Sequence, residues 1–140
     1  MIAYENGGHA YHATMPTDGL VSMHKQMEEM AEIGFDVLKD RQAELGAKTR
    51  ALLKEQGFKS VAGEGFEAPG VVVCYTDRAD FQNGSIFAAN GTQIAAGVPL
   101  RCDEPEDFST FRLGLFGLDK LKDVDGTVER LRSLFDRVAA

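Results

Sequence analysis

Apolar residues recur at three- and four-residue spacing through Leu20, Met23, Met27 and Met30. That spacing predicts a helix with one apolar stripe. Pro16, Thr17 and Asp18 supply its start. Thr14 or Thr17 suits the cap, proline suits a first turn, and Asp18 faces the positive end of the helix dipole. Gly34 marks a break or bend. A second helix is predicted from about Phe35 to Glu55, where Leu38, Leu45 and Leu52 lie seven apart with Val37 and Leu53 beside them. Its charged residues Lys39, Asp40, Arg41, Glu44, Lys48 and Arg50 fall mostly toward water, and Lys54 followed by Gly57 is a stop signal. The methionines at 15, 23, 27 and 30 read as core, as an interface with another subunit, or as an adaptable contact surface.

From Phe58 the period changes. Residues 59–62 are a short strand candidate, and Gly63, Gly65 and Pro69 punctuate a turn region. The β-branched run 70–76 predicts a central strand covered on both faces or nearly so. Residues 77–89 are weakly helical, with Phe81, Ile86 and Phe87 as apolar contacts. Asn90-Gly91 is a turn, 92–97 a short strand ending in glycine, and 100–108 a polar, acidic loop. A strand around Arg112 follows. A last helix starts near Asp123 or Asp125, with Val124, Val128, Leu131, Leu134, Phe135 and Val138 on one side. The order predicts an α+β fold: a two-layer small domain, its short and mainly antiparallel sheet covered by helices on one face, preceded by a long helical connector. Strands and helices do not alternate as a doubly wound sheet requires.

A chain of 140 residues fits one domain that needs no disulfide or metal to hold its core. Its net charge of -7 argues against nucleic acid and against an anionic membrane as partners, but leaves room for a small anion at a local positive site. Cys74 and Cys102 stand in no paired motif, and Cys74, inside a β-branched run, reads as a small core residue. His9 and His12 are close in sequence but no ligand pattern follows, so no metal is expected. With no apolar run of membrane-spanning length and no signal-peptide pattern, the cytoplasm is the expected compartment.

The chemistry concentrates at Ser109-Thr110-Phe111-Arg112-Leu113-Gly114-Leu115-Phe116-Gly117. This reads as a buried strand holding one permanent cation. A guanidinium does not enter an apolar setting without an anion to meet it. Arginine grips a carboxylate through two parallel hydrogen bonds, and the flanking glycines clear space for a ligand or another backbone. Two readings stay open: a carboxylate clamp, or a salt bridge to a nearby Asp or Glu. The opening segment 4–16, rich in glycine, aromatic and hydroxyl residues, reads either as a frayed terminus or as a loop that docks on something.

Taken together, Tyr11-His12-Ala13-Thr14-Met15-Pro16, the long helical pair, Ala68-Pro69-Gly70-Val71-Val72-Val73, Ile94-Ala95-Ala96-Gly97 and Phe111-Arg112-Leu113-Gly114-Leu115-Phe116-Gly117 resemble the C-terminal part of class V pyridoxal-phosphate (PLP) aminotransferases. The likeness is to the alanine–glyoxylate and serine–glyoxylate enzymes. It implies that Arg112 binds the substrate α-carboxylate, and that Tyr11 and Thr14 reach the cofactor phosphate of the partner subunit in a homodimer. It implies residues 1–16 as a connector loop and 17–140 as the aminotransferase C-terminal domain. The family's Schiff-base lysine, its pyridine-nitrogen aspartate and its ring platform belong to a large domain upstream, and no lysine here stands in a matching context. The resemblance therefore implies a fragment with no catalytic residue of its own. The parent enzyme would move an amino group between a small amino acid, alanine or serine, and a keto acid such as glyoxylate. The alternative is a freestanding carboxylate- or phosphate-binding or dimerisation module that kept the fold without the chemistry.

Overall fold

The computed structural model describes residues 2–8 and 14–139. They form two compact units, Met1–Gly34 and Phe35–Ala140. The first contains a short helix α1 (Ile2–Glu5) and the longer α2 (Thr17–Ile33). Asp18 stands in the first turn of α2, as the sequence predicts, but the N-cap position falls to Pro16 rather than to Thr14 or Thr17, and Thr17 is the first helical residue. The Gly34 amide closes the helix by donating to the Met30 carbonyl at 3.0 Å. No residue of α2 is buried. Its stripe of Leu20, Met23 and Met27 is present but exposed, so the core reading of those methionines is not realised among the described residues.

The second unit runs α3 (Phe35–Glu55), β1 (Val71–Tyr75), α4 (Ala79–Gln82), α5 (Ser85–Ala89), β2 (Ala95–Ala96), β3 (Thr110–Gly114), α6 (Leu118–Lys122) and α7 (Val124–Ala139). The strands form one antiparallel sheet in the order β1-β3-β2. This is the predicted α+β architecture, with helices packed on the sheet. Side chains of a strand alternate between faces, and burial follows. Phe111 and Leu113 of β3 are buried, and so are Cys74 and Val72, their partners across β1. The Phe111 ring meets Phe58 at 5.1 Å, Phe81 of α4 at 5.6 Å, Phe87 of α5 at 6.0 Å and Phe135 of α7 at 6.1 Å. Leu45, Leu52 and Leu53 of α3 and Leu134 and Val138 of α7 complete the core.

The run 70–76 predicts a strand in the centre of the sheet, covered on both faces or nearly so. The structure corrects this: β3 is central, and β1 lies outside it. Val71 and Val73 are only half-buried and Tyr75 is exposed. A continuous apolar run carries no period, so it cannot report which face is covered. The strand expected at 59–62 contracts to a single bridge, Ser60 to Cys74, on the outer edge of β1. The strand expected at 92–97 contracts to β2.

Helix α3 ends as predicted. Phe58 donates its amide to the Leu53 carbonyl and Gly57 to that of Lys54, at 2.9 and 3.1 Å, the paired bonds of a Schellman stop. One face of α3 also holds the loop entering β1. Gln42, Gly46 and Arg50 are successive positions at i, i+4 and i+8, hence on one side of the helix. Gln42 Nε2 donates to the Pro69 carbonyl at 3.0 Å. Gly46 admits that same carbonyl, which a Cβ would meet at 2.7 Å. Arg50 donates through Nη2 to the carbonyls of Ala68 (2.7 Å) and Val71 (3.0 Å), and through Nη1 to Ser60 Oγ at 3.4 Å. Arg50 is therefore not a solvated charge, as its place among the polar residues of α3 suggests, but the tie between α3 and β1. On the outer side, Lys48 joins Glu44 to Asp125 of α7, and Arg132 of α7 meets Glu55 at 3.0 Å. These pairs are exposed and contribute little. Asp123 caps α7, taking the Gly126 amide at 3.0 Å.

Two substitutions in α3 have opposite expected signs. Arg50→Met removes hydrogen bonds from a charged donor and leaves strand-entry carbonyls without it, so it costs about 2 kcal/mol, read as a lower denaturant midpoint. Thr49, fully buried, has a hydroxyl with no partner. Thr49→Val removes an unsatisfied polar atom and keeps the shape, so the midpoint rises by about 1 kcal/mol equivalent.

Candidate functional site

Burial of Phe111 and Leu113 on the helix side sends Arg112 to the other face of β3. There it lies between Val73 of β1 and Ala95 of β2, directly across from each. Around it the face is open: Tyr75, Ala95 and Gly114 are exposed and Val73 is half-buried. Arg112 itself is half-buried, so the reading of a wholly buried strand is corrected at this residue. Its Nε–H donates to the Ala96 carbonyl at 2.8 Å. That bond fixes the plane of the guanidinium and leaves its Nη1–Nη2 end as the fork open to a ligand.

The salt-bridge reading of Arg112 is not realised: among the described residues no carboxylate lies within 4.0 Å of it. Arg78 shows what a neutralised arginine looks like in this fold. Its Nε and Nη2 hold the two oxygens of Asp80 at 3.0 and 2.8 Å, its Nη1 donates to the Val138 carbonyl at 3.0 Å, and it stacks 4.3 Å over the Phe81 ring. Asp80 is held below the usual carboxylate range, by the Arg78 hydrogen bonds first. Arg112 has no such anion, and since its Nε is taken by the Ala96 carbonyl, the fork it keeps is the Nη1–Nη2 end. A planar fork with two free nitrogens matches the two oxygens of a carboxylate, and this is the chemistry that the site offers.

The anchor depends on a close approach that the side chains alone do not advertise. Gly97 follows β2 so tightly against β3 that a Cβ there would overlap the Thr110 carbonyl. The Gly97 amide donates to the Gln82 carbonyl at 2.8 Å, and Gln82 Nε2 donates back to the Gly97 carbonyl at 3.2 Å. This reciprocal pair clips β2 to the end of α4 and presents the Ala96 carbonyl to Arg112. Sequence reasoning missed Ala96 because a backbone carbonyl has no residue signature. The available signal was the glycine that closes the segment.

The other expected site residues are placed as follows. Thr14 is exposed and lies in the first unit, and Tyr11 lies outside the described residues. Cys74 is buried, and burial pushes its thiol up to about 11, with the Arg50 charge pulling weakly the other way. It is an inert core thiol at neutral pH. Among the described residues no group of histidine, cysteine, aspartate and glutamate is placed to hold a metal, and no helix is long and apolar enough to cross a membrane. The described residues do not fit PLP by themselves. A Schiff-base lysine is prepared by desolvation or a neighbouring cation that strips its proton. Here Lys48 is shifted the opposite way, upward, by Asp125 and Glu44. Lys120 is drawn to Asp119 and the Phe116 carbonyl, and Lys25, Lys39, Lys54, Lys59 and Lys122 are exposed.

No family model matches the sequence, and no curated protein matches it. Solved structures do. The alanine–glyoxylate aminotransferase of Nostoc sp. superposes with a TM-score of 0.74 at 14% identity, over 94% of this chain and 33% of that one. The ureidoglycine–glyoxylate aminotransferase of Bacillus subtilis gives 0.57 at 19% identity, over 81% of this chain and 29% of that one. An aspartate aminotransferase of subgroup IV from Thermus thermophilus gives 0.51 at 22% identity, over 69% and 26%. The fold is that of the C-terminal portion of class V aminotransferases. The chain spans about a third or less of the length of the enzymes it superposes on.

Gly97→Ala tests the anchor. The added methyl forces β2 away from Thr110, an overpacking cost of about 2 kcal/mol or more. The denaturant midpoint falls, and the Arg112 Nε–H resonance moves to the position of a solvent-exposed guanidinium. An unshifted midpoint and resonance would show that β2 does not depend on this approach.

Proposed function

We propose that this chain serves as the substrate-carboxylate-holding C-terminal domain of a PLP-dependent aminotransferase. The substrates proposed are a small amino acid, alanine or serine, and a keto acid such as glyoxylate. The observation that carries the reading is Arg112: a guanidinium pinned through Nε to a backbone carbonyl, on an open sheet face, with no protein carboxylate within 4.0 Å among the described residues. The likeness of fold to aminotransferases supports it. Two charge-assisted hydrogen bonds from the Nη atoms would fix the carboxylate, and so set the direction of the α-carbon. Placement of this kind is a large part of an enzyme's rate. Since the described lysines are not prepared for a Schiff base, PLP and the residue that bonds it are supplied by sequence outside these 140 residues. On this reading the 140-residue chain alone is not catalytic. Tyr11 and Thr14 reach the cofactor phosphate of a partner subunit in a homodimer, and the connector ends at residue 16.

The state of the lysines also favours a second reading, in which the chain binds a carboxylate or phosphate, or dimerises, without performing chemistry. One substitution separates the two. In the assembled enzyme, Arg112→Ala lowers kcat/KM about a hundredfold, mostly through KM, because a charge-assisted pair is lost. The bound-cofactor absorbance stays as it was. Arg112→Lys recovers only part, since an ammonium cannot offer the fork. An Arg112→Ala enzyme with unchanged kcat/KM would remove the proposal.

A further inference from the structure

A cavity of about 320 Å³ opens beside the outer edge of β1. Its walls are Leu53 of α3, Phe58, and Val72 and Cys74 of β1. Those two strand residues face the helices, whereas Arg112 stands across from Val73 on the other face. The sheet therefore separates the cavity from Arg112. Arg50, Lys54 and Lys59 also line it, with Glu67 as the one carboxylate. The size is at the lower end of small-molecule sites, and an apolar body with a few charged groups is their usual composition.

The charges at this cavity run against those of the chain. The net charge is -7, yet three cations here face one anion. None of the three has a carboxylate within 4.0 Å among the described residues. The hydrogen bonds of Arg50 go to neutral oxygens, so its charge remains uncompensated. Lys59 lies 5.7 Å over the Tyr75 ring, which attracts a cation without neutralising it. Glu67 Oε2 is turned to its own loop, taking the Gly65 amide at 2.8 Å. The positive field reaches the cavity wall, where the Arg50 charge acts on the Cys74 thiol. Burial outweighs it, so the wall stays neutral and apolar at neutral pH.

We infer that this cavity binds a small organic monoanion, a carboxylate with an apolar body. The volume holds roughly ten non-hydrogen atoms, at the ~30 Å³ that a water-sized group takes at liquid density. The body lies against Leu53, Phe58, Val72 and Cys74, and the carboxylate meets Lys54 and Lys59 at the mouth. This site is independent of the carboxylate proposed for Arg112 and stands whether or not the aminotransferase reading holds.

The test is a nuclear magnetic resonance titration of the 140-residue chain with phenylpropanoate and with its neutral counterpart phenylpropanamide. Expected are saturable amide shifts in residues 53–60 and 72–74 with the carboxylate, and an affinity about tenfold weaker for the amide. The double substitution Lys54→Glu and Lys59→Glu brings the carboxylate down to the affinity of the amide, while Glu67→Gln tightens it. Both lysines are exposed, so the double variant is expected to fold, which its spectrum reports directly. Should it not, the comparison of the two probes on the unaltered chain decides alone. Equal affinity for the two probes, shifts confined to the exposed stripe of α2, or no shift up to the solubility of the acid would each overturn the inference.

Discussion

Burial of the Phe111 ring governs the rest of the second unit. It meets Phe58, Phe81, Phe87 and Phe135, rings that come from four further segments of the chain. Such a cluster is worth more than its area alone, because edge-to-face pairs add to the transfer of apolar surface. It also sets a parity. Once Phe111 faces the helices, Leu113 must follow it and Arg112 must face away. A slip of one residue would drive the guanidinium into the four remaining phenylalanines and expose the core side of the strand. The site is thus a consequence of core packing: the most buried ring of β3 aims the charge beside it.

Much of this was legible in the residues. Helix α3 appears with its predicted ends, since its leucine spacing and its glycine stop agree with each other. The final helix begins at the aspartate that caps it. The α+β order was legible because helical and strand periods alternate cleanly at Phe58. What failed to show was facing and commitment. The valine run gave no face, because unbroken hydrophobicity is compatible with an outer or a central strand. Arg50 looked like one more charge on a wet helix, although its partners are carbonyls from a distant loop and leave no mark in the local pattern. The Arg112 candidate was legible as chemistry, as a cation in a strand with glycines nearby. Its anchor was not, because Ala96 contributes only its backbone.

Arg78 and Arg112 together show why charge count is a poor guide to function. Both are forks, Arg78 at the start of α4 and Arg112 in the middle of β3, and both have a backbone carbonyl as one partner. Arg78 is closed by Asp80 and covered by a ring, so nothing remains for a ligand. Arg112 is closed on one nitrogen only. A half-buried guanidinium keeps enough water to avoid a full desolvation penalty, so its open end costs the fold little. In the role proposed for it, a carboxylate would exchange that water for two charge-assisted bonds in a geometry already fixed by the Ala96 carbonyl. Pre-orientation of this kind converts a surface charge into a recognition element.

The two faces of the sheet then offer anions different things. On the face of Arg112, an anchored fork on an open surface suits the shape of a carboxylate, the role proposed for it, and says nothing about the body attached. On the helix side, the cavity beside β1 has apolar walls and exposed lysines at its rim, so the ligand inferred for it would be chosen by its body and by the sign of its charge. Arg50 links the two arrangements mechanically. It ties α3 to the end of the loop entering β1 and to the first residue of the strand, and so fixes the strand whose alternate residues border one site and the other. An alteration at Arg50 would reach both faces, through the cavity wall directly and through the register of β1 against Arg112.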